Sequence, residues 1–78
     1  MKNARGRTFG TPLTPRQFDT LLLLASGETG TSIAAELGVQ PNTVHVFTVQ
    51  LKAKLGAKTT AHAVAIGYHT GLLTVARA

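Results

Sequence analysis

Between Leu37 and Pro41 the chain has three residues, Gly38, Val39 and Gln40, in which to end one helix and begin another. A turn this short ties the two segments together, so neither can choose its packing independently. Upstream of it, Ile33, Ala34 and Leu37 recur at helical spacing, and Gly38 supplies the left-handed backbone that closes a helix without a Cβ penalty. Downstream, Pro41 suits the first helical position, where its missing N–H costs nothing, and Gln40 takes the capping place with a side chain that caps less well than Ser or Asp. Thr29 to Leu55 therefore reads as helix, turn, helix. The same spacing also suits a plain helical hairpin inside a small bundle.

Turning the second of these helices at 100° per residue puts Val44, Phe47, Thr48, Leu51 and Leu55 on one side, which predicts the core face. The opposite side gathers Asn42, His45, Val46, Val49 and Ala53, a mixture of polar and small apolar residues with no reason to be buried. A helix of this width fits the DNA major groove, and the N-terminal portion of such a second helix meets the base edges. On that reading Asn42 suits adenine N6/N7, His45 suits guanine N7, Val46 and Val49 suit thymine methyls, and Thr43 completes the set of base-contacting candidates.

The most strongly specified helix lies ahead of this pair. Thr14 at the N-cap, Pro15 next and Gln17 at the third helical position form a capping box, and Leu13 with Phe18 has the spacing of a hydrophobic staple. Phe18, Leu21, Leu22, Leu24 and Ala25 make a wide apolar stripe with Leu23 outside it, and Gly27 closes the helix. After Gly56 a last helix is expected from the Lys58-Thr59-Thr60 caps to about Thr70, stopped by Gly71. It is small or apolar on several faces, which suits self-association. Residues 1–12, rich in Gly, Asn, Thr and basic residues, read as a flexible basic arm, 13–73 as one domain, and 74–78 as a C-terminal tail.

The net charge of +5 is distributed unevenly. Lys2, Arg5 and Arg7 stand in the arm and Arg77 in the tail, so within the folded region Arg16, Lys52, Lys54 and Lys58 outnumber Asp19, Glu28 and Glu36 by a single positive charge. A DNA reader so arranged depends on a few placed lysines and its arm for phosphate attraction. Lys52, Lys54, Lys58, Arg5 and Arg7 are the candidate phosphate contacts. No cysteine is present, no apolar run approaches a membrane span, and the N-terminus has no signal-peptide block, so a cytoplasmic protein is expected. No nucleophile with an identifiable base and no Gly-rich phosphate loop occurs, which argues against an enzyme and against a cofactor. His62 and His69 lie two turns apart, too far to share a metal ion within one chain.

Leu13-Thr14-Pro15-Arg16, Leu21, Leu24-Ala25, Gly27, Ile33-Ala34, Leu37-Gly38, Thr43-Val44, Lys54-Leu55-Gly56, Ala63-Val64 and Gly71-Leu72-Leu73 together resemble the LuxR/GerE-type DNA-binding domain. The resemblance implies an all-α, four-helix helix-turn-helix domain and a bacterial or phage transcriptional regulator. It also implies double-stranded DNA as the partner, with an inverted repeat bound as a homodimer through the last helix. Ala61, Ala65, Ile66 and His69 are the dimer candidates. Family members commonly carry a further domain ahead of this one, and the chain has the look of a stand-alone, GerE-like member or a domain cut from a longer protein. It differs from the family pattern in having Gln17 for Glu, Gly30-Thr31-Ser32 for Asn-Lys-Glu, and His45 where a lysine usually reaches DNA. Outer arginines are replaced by Phe18, Leu22, Ala65 and His69. With the nearly neutral folded region, those apolar positions support a second reading: a protein-binding module of the same fold, an anti-activator or a partner of RNA polymerase or a related regulator.

Overall fold

Each helix among the described residues starts where a side chain can accept a free backbone N–H and stops where a glycine turns the chain over, with one exception at the start of the third. The computed structural model describes residues 13–73, in which α1 spans Pro15–Ala25, α2 Gly30–Leu37, α3 Pro41–Leu55 and α4 Thr60–Thr70. No strand occurs among the described residues, so the fold is the all-α, four-helix arrangement expected. The basic arm with Arg5 and Arg7, and the tail, lie outside the described residues.

The capping box of α1 forms as read: Gln17 N donates to Thr14 Oγ1 at 3.2 Å, and Thr14 N to Gln17 Oε1 at 3.0 Å. A second box opens α2, between Thr29 and Ser32 at 3.1 and 3.0 Å. Its sequence signal is weak because serine, with its short reach, replaces the usual Glu or Gln. At α4 the His62 N–H donates to Thr59 Oγ1 at 3.0 Å while Lys58 N donates to His62 Nδ1 at 3.1 Å. Among the described helices only α3 lacks a side-chain cap: Gln40, expected as a weak cap, makes no side-chain hydrogen bond there.

The first three helices close alike. Glu28 N reaches Leu23 O, Val39 N reaches Ala34 O and Ala57 N reaches Lys52 O, each across a glycine of positive φ. α4 closes one residue later, with Leu73 N on Gly67 O at 3.0 Å, which folds Leu73 back over the helix. Gly67 makes room for it: a Cβ there would stand 2.8 Å from Leu73 Cδ1 and 3.3 Å from Leu21 Cδ2.

α3 packs against all three other helices. Its first half sends Val44 into a cluster with Ile33 and Ala34 of α2, and its second half sends Leu51 and Leu55 into a larger one with Leu21, Ala63 and Leu73. Leu24 touches both clusters and joins them. By area, each fully buried leucine contributes about 1.5–3 kcal/mol. Two buried polar side chains are satisfied within the core wall: Gln17 Nε2 donates to Gln50 Oε1 of α3 at 3.0 Å, and Thr20 Oγ1 to Arg16 O at 2.8 Å. The α1 stripe is rotated from its expected position. Leu23 packs on the α2 cluster and Leu22 is 45% exposed, because α2 covers a flank of α1 that the periodicity of one helix cannot reveal.

Two substitutions test this packing. Gln40→Ser should stabilise the domain by about 0.5–1 kcal/mol by capping α3. Gly67→Ala should destabilise it, since overpacking at about 1–3 kcal/mol exceeds a helix-propensity gain of about 0.8–1 kcal/mol. Urea midpoints at constant m-value read both.

Candidate nucleic-acid interface

With its inner face divided between two clusters, α3 has only one face left to present. Val44, Leu51 and Leu55 are buried and Phe47 and Thr48 half-buried, while Asn42, His45, Val46, Val49 and Ala53 are all exposed. That is the division the 100° turn predicts. Thr43 is half-buried at the edge of the stripe. Val46 at 42% and Val49 at 47% are the two large apolar side chains that α3 leaves in solvent.

The lysines flank this stripe. Lys52 and Lys54 are both half-buried and stand roughly 200° from each other about the helix axis, so one lies beside His45 and the other beside Gln50. Partial burial of a lysine stem leaves its ammonium group at the surface. Lys58 is exposed in the turn between α3 and α4, where its backbone N–H is held by His62.

Two further electrostatic features favour an anion at this face. Pro41 brings no N–H, and Gln40 offers α3 only its backbone carbonyl, which accepts from Thr43 N at 2.9 Å and Val44 N at 3.3 Å. The positive end of the α3 dipole is thus left without a side-chain acceptor beside Asn42. The carboxylates are also segregated along the sequence. Asp19, Glu28 and Glu36 belong to α1, the α1–α2 turn and α2, and no acidic residue follows Glu36. A tally of net charge hides this separation; the positions of the three acids in the sequence carry it.

On α4, Ala61, Ala65 and His69 are exposed, whereas Ile66 is half-buried and packs on the main cluster. A shallow groove is lined by His62, Ala65, Ile66 and His69. Tyr68, 40% exposed, joins this surface although its sequence context did not single it out; a helical wheel puts it on the side of Ala61 and Ala65. Phe18, invoked for a partner surface, is half-buried against the main cluster, which leaves Leu22 the more available of the two. Among the described residues no group of three or more His, Cys, Asp or Glu is placed to hold a metal ion, and no helix is long and apolar enough to cross a membrane.

Comparison with known proteins agrees with this geometry. Residues 11–66 match the family described as bacterial regulatory proteins, luxR family. The transcriptional regulatory protein MctR of Rhizobium johnstonii is 36% identical over 63 residues, which are 81% of this chain and 29% of MctR. The transcriptional regulatory protein UhpA of Escherichia coli is 46% identical over 56 residues, 72% of this chain and 28% of UhpA. The chain thus spans less than a third of the length of either relative.

If the exposed stripe carries function and not fold, Asn42→Ala and His45→Ala should each leave stability within about 0.5 kcal/mol of wild type. Leu51→Ala, on the inner face of the same helix, should cost about 2–5 kcal/mol. Equal losses from both faces in chemical denaturation would contradict this division.

Proposed function

Because the chain belongs to the luxR family of bacterial regulatory proteins, we propose that it is a transcriptional regulator that reads double-stranded DNA with the outer face of α3. The observation that carries this reading is the exposed stripe of Asn42, His45, Val46 and Val49 on a helix whose inner face is fixed by two clusters. Asn42, Thr43, His45, Val46 and Val49 address base edges in the major groove. Lys52, Lys54 and Lys58, with Arg5 and Arg7 of the arm, address phosphates and set position without reading sequence. The work is binding, and it calls for neither catalysis nor a cofactor.

The exposed α4 face of Ala61, Ala65 and His69, with a portion of Ile66, is the proposed homodimer surface, so that two copies place their α3 helices on the halves of an inverted repeat. Small residues there permit close approach of two backbones. The alternative, a protein-binding module directed at RNA polymerase or a related regulator, draws on the nearly neutral folded region and on the exposure of Leu22 and Ala65, with Phe18 half-buried against the main cluster.

The decisive experiment is selection from a random duplex pool at two salt concentrations. Enrichment of an inverted repeat with half-site centres roughly one helical turn from each other is the expected result; weak, unselective binding that salt abolishes would instead favour the protein-partner reading. On the selected duplex, Lys52→Ala should weaken binding on every sequence and lower the salt slope by about one. Asn42→Ala should relax preference at one base pair, and Ala65→Glu should reduce affinity for the full repeat to that for a half-site.

A further inference from the structure

Two valines on the exposed face of α3 need an explanation that neither the core nor the lysines supply. Val46 and Val49 are 42% and 47% exposed and are separated by one helical turn between Asn42 and Ala53. Three residues of helix rise about 4.5 Å, more than one and less than two base-pair steps of roughly 3.4 Å, a spacing that lets the two side chains reach neighbouring base pairs of a groove that α3 enters. A valine laid on a polar base edge displaces water and returns no hydrogen bond, an uncompensated loss. One group in the major groove avoids this penalty, the C5-methyl of a pyrimidine.

Resting on the DNA reading above, we propose that the central ligand of the α3 face is a pair of C5-methyl groups on neighbouring base pairs, one under Val46 and one under Val49. The valines recognise the methyl and no ring heteroatom. Thymine and 5-methylcytosine are therefore both accepted at these positions, and uracil and unmodified cytosine are both disfavoured. Cytosine methylation at these two steps would thus raise affinity, and the flanking polar residues, Asn42 and His45, carry whatever distinction between base pairs the valines cannot make.

The test uses the duplex enriched by selection, with thymines replaced singly by deoxyuridine, which removes the methyl and keeps the O4 acceptor. At about 0.8 kcal/mol per buried methyl, two adjacent replacements should each weaken binding about four-fold and together roughly fifteen-fold. 5-Methylcytosine at those positions should exceed cytosine by a similar factor. In Val46→Ala/Val49→Ala, whose changes lie on the exposed face, the thymine-to-uracil difference should fall below about two-fold. Wild-type binding that stays sequence-selective but is indifferent to uracil overturns the methyl proposal and leaves the regulator reading standing. A uracil effect of undiminished size in the double variant overturns it too, since the methyl would then act through DNA shape. Failure to enrich any sequence removes both.

Discussion

Everything the surface of this domain offers depends on α3 being held from two sides. Val44 is locked against Ile33 and Ala34 of α2, and Leu51 and Leu55 against Leu21, Ala63 and Leu73. A single cluster would hold one end of the helix and let the other swing. Two clusters, one under each half and joined through Leu24, fix both its direction and its rotation. Rotation matters most for a groove-reading helix: a turn of one residue position would carry Val46 and Val49 off the exposed stripe and bring a half-buried neighbour into it.

Around that clamp the polar interactions serve as positioning devices. The Gln17–Gln50 hydrogen bond ties α1 to α3 where an apolar pair would tolerate sliding. Gln17 performs two tasks at once, since its Oε1 caps Thr14 N while its Nε2 reaches Gln50. A glutamate in this place has no amide hydrogens, and would keep the cap while relying on the Gln50 amide to turn and donate. The glutamine thus suits this particular α1–α3 contact. The Leu73–Gly67 closure does similar work at the other end, where a mid-helix glycine, costly for an isolated helix, lets the chain fold back and complete the main cluster.

The charge distribution completes the arrangement. With every carboxylate side chain on α1, α2 and the turn between them, α3 and the turn after it carry Lys52, Lys54 and Lys58 without an acidic neighbour in sequence. Along the sequence, α3 and the turn after it thus carry positive side-chain charge alone. The uncapped start of α3 adds the end of its dipole to the same side. Affinity from so few charges is modest and salt-sensitive, which leaves most of the discrimination to short-range contacts along the stripe.

Local chemistry was enough to write down the helices. Thr14, Pro15 and Gln17 start α1, Pro41 starts α3, and Gly38, Gly56 and Gly71 end their helices, because caps and left-handed closures are set by a few adjacent residues. The two faces of α3 were equally legible, since a period of 3.6 residues separates Val44, Leu51 and Leu55 from Asn42, Val46 and Val49 without reference to any partner. What lay beyond local reading was what depends on a second element. That Leu23 and not Leu22 is covered, that Gln17 spans to Gln50, that Ile66 packs on the main cluster, and that Gly67 admits Leu73 all follow from where another helix happens to lie. Those contacts join residues that local sequence does not relate, and only the packed tertiary structure decides which of several apolar faces each helix gives up.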